Sequence, residues 1–175
     1  MQVLIYSDYY QEHKKLYDDI FKLTQPIGDI YPNYRNWYYH TFLEDLKQGH
    51  RLYAIATHHM VITGCCLMKN TANEKKICTL FVGPQYRRQG IGSDLVRSAL
   101  TELGPHPFLT VSDGQLSTFI PFLSRFGFQM KMLPRKNAAT PREALFYRPT
   151  PRLIQKSRTT LPDQVKDKTK IRAIA

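Results

Sequence analysis

Apolar and polar positions alternate along this chain in two different periods, and the change of period marks out its elements. Residues 2–7 read as a short strand, and residues 10–23 place Leu16, Ile20 and Phe21 at helical spacing among charges. After a turn-rich stretch containing Pro26, Gly28, Pro32 and Asn33, residues 34–46 form a second helical pattern with Trp37, Tyr38, Phe42 and Leu46 on one face. Residues 51–57 and 61–69 are β-rich runs expected to pair as an antiparallel hairpin, with His58 and His59 as its turn. Residues 76–82 predict a strand broken by Gly83-Pro84, and residues 90–103 an amphipathic helix burying Ile91, Leu95, Ala99 and Leu103. A strand over 108–112, a helix over 116–126 capped by Gly127, and strands over 128–133 and 144–147 complete the order. Such a mixture of strands and helices predicts an α/β (α+β) fold. Beyond Pro149 no period is sustained, so residues 1–150 are expected to form one domain and residues 151–175 an appendage.

Composition sharpens this picture at that appendage. Of the net charge of +11, most lies at the C-terminal end: residues 131–175 carry 12 Lys and Arg against 3 Asp and Glu. The remainder is nearly neutral. A basic block of this kind attracts polyanions through a long-range, salt-sensitive field, or simply solvates a tail. With 42% hydrophobic residues the chain is expected to fold. Cys65, Cys66 and Cys78 lie in apolar or β-branched runs without metal-type spacing, which predicts reduced thiols and no metal site. Neither a signal-like start nor an apolar run of about 18 residues is present, so a cytoplasmic protein without membrane contact is expected.

The chemistry concentrates in Ile77-Cys78-Thr79-Leu80-Phe81-Val82-Gly83-Pro84-Gln85-Tyr86-Arg87-Arg88-Gln89-Gly90-Ile91-Gly92, a buried strand, a break, a basic glycine-bearing turn and a helix start. Glycines at 90 and 92 allow close approach to the backbone, and the first N–H groups of the helix have no internal acceptor. With Arg87 and Arg88 adding charge-assisted donors, this is a cradle for an anion of pyrophosphate size. The glycine spacing is too short for a dinucleotide fingerprint, and the Gly-Lys-Ser/Thr of a P-loop is absent.

This segment closely resembles the acetyl-CoA motif of the GNAT superfamily of N-acetyltransferases, a strand followed by Arg/Gln-x-x-Gly-x-Gly/Ala, matched by Arg87, Gly90 and Gly92. The context Val82-Gly83-Pro84-Gln85-Tyr86-Arg87 is frequent in that family, and Phe122-Leu123-Ser124-Arg125-Phe126-Gly127-Phe128 resembles its helix-end segment. Together the two pieces span residues 51–133. The resemblance implies a mixed, mostly antiparallel sheet flanked by helices and splayed between strands 76–82 and 108–112. It also implies acetyl-CoA as cosubstrate, bound by Leu80, Phe81, Val82, Arg87, Arg88, Gln89, Gly90, Ile91, Gly92 and Ser93.

Where many members carry a tyrosine acid this chain has Leu123, and Cys78-Thr79 stand where some carry a glutamate base. Glu74, Thr79, Ser124 and Tyr147 are the remaining candidates for proton transfer, with Ser112 and Ser117 behind them. Three functions fit. The first is acetyl transfer to an amine by direct attack in a ternary complex. The second is an acetyltransferase toxin acting on aminoacyl-tRNA held by the basic end, and the third a degenerate module that binds acyl-CoA or a partner without turnover. Tyr34, Trp37, Tyr38 and Tyr39 are open to three readings: an acceptor lid, a homodimer patch or plain core.

Overall fold

The computed structural model describes residues 2–6, 13–135 and 141–149; the basic appendage 151–175 lies outside them. Seven strands are present: β1 (Gln2–Tyr6), β2 (Arg51–His58), β3 (Val61–Asn70), β4 (Lys75–Val82), β5 (Phe108–Ser112), β6 (Gln129–Met132) and β7 (Glu143–Tyr147). They form one sheet in the order β1-β2-β3-β4-β5-β7-β6, antiparallel at every step except β4–β5. This is the mixed, mostly antiparallel sheet that the family resemblance implies. Parallel neighbours need a crossover, and the helix α4 (Ile91–Leu103) supplies it.

Two apolar layers hold the sheet. On one face Ile91, Leu95, Val96, Ala99 and Leu103 of α4 pack with Leu123 of α5 (Leu116–Ser124) on Cys66, Met68, Leu109, Val111, Ala144 and Phe146. Each such large aliphatic or aromatic side chain contributes roughly 1.5–3 kcal/mol when fully buried. The helix α5 ends in a turn closed by Gly127 at φ +77°, where the Gly127 N–H donates to the Ser124 carbonyl and the Phe128 N–H to that of Leu123.

The other face is covered by α1 (Lys14–Thr24) and a helical run made of α2 (Tyr34–Trp37), a wide π turn (Tyr38–Phe42) and α3 (Leu43–Lys47). Their core takes in Tyr17, Ile20, Phe21, Tyr34, Tyr38, Phe42 and Leu46 with Tyr53, Ile55, Cys65 and Leu67. Of the aromatics with three readings, Tyr34 and Tyr38 are therefore core, and the Tyr38 hydroxyl donates to the Tyr17 carbonyl at 2.8 Å. Trp37 and Tyr39 are half-buried around them.

The β2–β3 turn departs from expectation by one residue. His58 is the last residue of β2, paired with Val61, and the two turn residues are His59 and Met60, at φ +47° and +63°. A two-residue hairpin loop matches the right-handed twist of its strands only with positive φ, and here it is made without glycine.

Candidate active site

The break after β4 builds the cradle. A 3-10 turn, Pro84–Tyr86, follows Gly83, and Arg87 folds back so that its Nε donates to the Val82 carbonyl at 3.1 Å. Arg88 then takes φ +61° and Gly90 φ +86°. Two left-handed residues so close together reverse the chain and aim α4 back along the sheet. The N–H groups of Ser93 and Asp94 both turn to the Gly90 carbonyl, at 2.9 and 3.1 Å. Those of Ile91 and Gly92 have no backbone acceptor among the described residues, and they lie at the positive end of a 13-residue helix.

Gly90 and Gly92 differ in what their positions require. At Gly90 the requirement is conformational, because a Cβ would meet nothing within 4 Å but the φ is left-handed. At Gly92 a Cβ would make ordinary contact, 3.4 Å from the Phe122 ring and 3.8 Å from Val82, so the start of α4 lies beside both α5 and β4. Asp94, the acidic residue of the first turn, is drawn aside by Arg97 at 2.7 Å. Arg87 and Arg88 are exposed at the turn.

The cradle opens onto a gap in the sheet. The parallel ladder between β4 and β5 has one aligned pair, Lys76 with Phe108, at the start of both strands. Immediately afterwards the β3–β4 register slips: Met68 pairs with Ile77 but Leu67 with Thr79, leaving Cys78 as an extra residue. A bulge bends and twists the strand that carries it, which turns β4 away from β5. Leu80, Phe81 and Val82 thus edge a cleft that widens toward the helix start. Cys78 is fixed from the other side by Arg51, whose Nη1 donates to Sγ at 3.3 Å. Arg51 is 5% exposed, and its guanidinium is ion-paired to Asp45 at 2.8 Å and lies over the rings of Trp37 and Phe42.

The structure disperses the four proton-transfer candidates. Glu74 precedes β4 at its closed end, bound to Lys69, which holds its carboxyl below the usual range. Eight residues of extended chain, roughly 25 Å, separate it from Val82. Tyr147 pairs with Phe108, also at the closed end, and its hydroxyl lies 3.5 Å from the Gln129 side chain. Ser124 is exposed and donates to the Pro121 carbonyl, while Leu123 beside it is wholly buried in the core. Thr79 alone stands on the part of β4 that edges the cleft, 6% exposed, close to the buried Tyr34 hydroxyl. Burial holds the Tyr34 phenol far above its ordinary range, and among the described residues its oxygen makes no hydrogen bond of normal geometry. Ser117 is exposed on the first turn of α5.

A polar group that the sequence does not bring together sits at the open end of β5. Leu109, Val111, Ala144 and Phe146 point into the α4 layer, so Thr110 and Ser112 of β5 and Glu143 and Leu145 of β7 point to the opposite face. Ser112 pairs with Glu143, and the Tyr31 hydroxyl donates to Glu143 Oε1 at 3.1 Å. Burial, followed by the Glu143 carboxylate, raises the Tyr31 phenol well above its ordinary range, so it stays a donor. Tyr31 and Glu143 are 112 residues apart, and only the alternation Glu143-Ala144-Leu145-Phe146-Tyr147 hints that Glu143 leaves the core face.

Comparison with known proteins places these features in context. Residues 33–140 match the family model described as acetyltransferase (GNAT) domain. No curated protein sequence matches the chain. Among solved structures, a GNAT-family protein from Desulfovibrio desulfuricans superposes with a TM-score of 0.67 at 15% identity, covering 83% of this chain and 98% of that one. PaiA N-acetyltransferase from Thermoplasma acidophilum, in complex with coenzyme A, gives 0.58 at 17%, covering 83% and 98%. An aminoglycoside 6'-N-acetyltransferase complexed with coenzyme A gives 0.61 at 15%, covering 86% and 99%. At such identities the likeness is one of fold.

Proposed function

Because this chain belongs to the GNAT acetyltransferase family, we propose that it transfers an acetyl group from acetyl-CoA to an amine. The observation that carries this reading is a coincidence of position. The glycine-started helix α4, with its unaccepted N–H groups, follows the end of β4 that has no aligned β5 partner. The backbone N–H groups of Ile91 and Gly92, with the turn Arg87-Arg88-Gln89-Gly90 and Ser93, would hold the pyrophosphate. Leu80, Phe81 and Val82 would line the arm that carries the thioester. Two of the proteins similar in fold are N-acetyltransferases complexed with coenzyme A, which supports the cosubstrate.

The thioester supplies an activated acyl carbon. The amine nitrogen bonds to that carbon as the carbon–sulfur bond breaks, and the proton lost by nitrogen passes to water or to the departing sulfur. Buried Leu123 takes no part in this. Holding the two reactants in line can supply about 7–11 kcal/mol of the barrier, against about 3–5 kcal/mol from a general base. A site without a carboxylate at its centre therefore suits an amine of low pKa. Deprotonation at pH 7 costs about 1–1.4 kcal/mol for an α-amine and about 4.6 kcal/mol for a lysine.

We also propose residues 1–150 as the catalytic unit and 151–175 as a separate basic segment that meets polyanions such as tRNA, the charge asymmetry being the support. Release of free thiol from acetyl-CoA, measured with a panel of amines, tests the main reading. Amine-dependent release supports it, and binding without any release would favour a module that does not turn over. A chain ending at residue 150 is expected to bind acetyl-CoA unchanged and to lose salt-sensitive tRNA binding.

A further inference from the structure

Two local irregularities meet at one point of the cleft edge. The first is the bulge at Cys78. Without that extra residue Thr79 would stand opposite Cys66 and turn toward α4. With it Thr79 stands opposite Leu67, and its side chain turns to the layer of α1–α3. The second is the hydroxyl of Tyr34. This residue is 5% exposed and its oxygen is wholly enclosed, close to the side chains of Thr24 and Thr79, yet hydrogen-bonded in normal geometry to neither. Its ring is flanked by Phe21 and Trp37, at 6.3 and 5.6 Å between centroids, which hold the hydroxyl where it is.

A buried hydroxyl without a partner is costly, and such an exception in a folded chain calls for a partner that arrives later. Thr24 is a poor recipient. It is fully buried and its own proton goes to the Ile20 and Phe21 carbonyls, at 2.9 and 3.2 Å, so a bond to it leads nowhere. Thr79 is different, because it stands on the part of β4 beyond the one aligned β4–β5 pair, about 10 Å of strand from Val82. A thioester arm lined by Val82, Phe81 and Leu80 therefore carries its acyl end toward Thr79. At 6% exposure Thr79 would meet only a group as thin as an acetyl threaded between the strands, and a donor so enclosed acts at low dielectric. Burial keeps Tyr34 protonated, so it enters a bond with Thr79 as the donor and leaves the Thr79 proton to be given onward.

We infer that Thr79 is a catalytic residue that donates a hydrogen bond to the thioester carbonyl oxygen, and that Tyr34 positions it by donating to Thr79 Oγ1. This rests on the acetyltransferase reading. As the amine nitrogen bonds to the acyl carbon, the carbonyl π electrons move onto oxygen, where the Thr79 O–H meets the growing charge. When they return, the carbon–sulfur bond breaks and its electron pair leaves on sulfur. Both hydroxyls keep their protons, and that of the nitrogen goes to water or to sulfur. A bond unmade in the resting chain and made as charge develops lowers the barrier rather than tightening ground-state binding.

The test measures thiol release from acetyl-CoA by the full chain, with the fastest of trialanine, glycinamide and Nα-acetyllysine as acceptor, alongside thermal unfolding. Tyr34→Phe keeps the ring and removes the unpartnered hydroxyl. It is expected to melt no lower than the wild-type chain while kcat falls about 3- to 10-fold and the KM for acetyl-CoA stays unchanged. Thr79→Val, of nearly the same shape, is expected to lower kcat about 100-fold, and Thr79→Ser to keep it within a few-fold of wild type. Adding Tyr34→Phe to Thr79→Val is expected to change kcat no further, because Tyr34 acts through Thr79. A kcat untouched by either single variant, a lower melting temperature for Tyr34→Phe, or a Tyr34→Phe loss that persists in full beside Thr79→Val would overturn the inference. No thiol release by the wild-type chain with any of the three amines would instead remove the acetyltransferase reading, and the inference with it.

Discussion

Lys76 and Phe108 face each other as the one aligned pair of the parallel β4–β5 ladder, with the Lys76 ammonium 5.5 Å from the Phe108 ring centroid. From this closed corner the strands part, so the contact fixes where the cleft begins.

Phe108→Ala is expected to cost about 1–3 kcal/mol, less than the 3–5 kcal/mol of a fully buried phenylalanine because the ring is half-exposed. Urea unfolding should show a lower midpoint at unchanged slope. A loss below about 0.5 kcal/mol would mean that the corner is held by the strands beside it.

Gly64 of β3 carries the close approach of α4 to the sheet. A Cβ there would stand 3.0 Å from Ile91 Cγ2, 3.0 Å from the Phe81 carbonyl oxygen and 3.2 Å from Leu95 Cδ1. The backbone oxygen cannot yield as a side chain can. Gly64→Ala is therefore expected to destabilise by about 1–3 kcal/mol and to weaken acetyl-CoA binding, by pushing the start of α4 away from β4. Unchanged thermal stability would show that α4 can slide freely.

The hairpin tip invites a gain instead. His59 and Met60 occupy left-handed backbone without the glycine or asparagine that does so cheaply, and Met60 is 98% exposed. The double substitution His59→Asn with Met60→Gly is expected to stabilise the chain by about 0.5–2 kcal/mol without touching the cleft. A lower melting temperature would contradict this.

The thiols give a pH dependence. Burial pushes Cys65 up to about 12, raises Cys66 well above its ordinary value, and raises Cys78 despite the neighbouring Arg51. The folded state thus keeps protons that the unfolded state gives up. This contribution is intact below pH 9 and falls from about pH 9 to about pH 12. Folded protein at pH 8 is expected to react slowly or not at all with a thiol reagent, and all three cysteines to react in denaturant. A fast-reacting thiol in the folded chain would contradict the packing around β3 and β4.

What the sequence made legible follows from the range of the forces involved. The helix start at Gly90, the succession of strands and helices along the chain and the core face of α4 are set by neighbours a few residues apart, so spacing alone discloses them. The bulge at Cys78 is different, because it depends on how β3 and β4 register, which no local pattern encodes. The same holds for Tyr31 and Glu143. Candidates chosen by chemistry alone, such as Glu74 and Tyr147, lie at the closed end of the cleft. The His59-Met60 turn sits one residue beyond its expected place because neither turn position carries the usual glycine signal.

Whether acetyl-CoA lies with its pyrophosphate on the start of α4 is decided by isothermal titration of acetyl-CoA into the wild-type chain and into Gly90→Asp. Aspartate tolerates left-handed backbone better than most residues, and its Cβ would meet nothing within 4 Å, so the variant should fold at a cost of about 1–2 kcal/mol. Its carboxylate would face the phosphates. Saturable binding to the wild-type chain is expected, with about 2.7 kcal/mol of added stability at a hundredfold excess over Kd, and no binding to folded Gly90→Asp. No heat of binding to the wild-type chain at millimolar acetyl-CoA, or equal affinity in the variant, would contradict it.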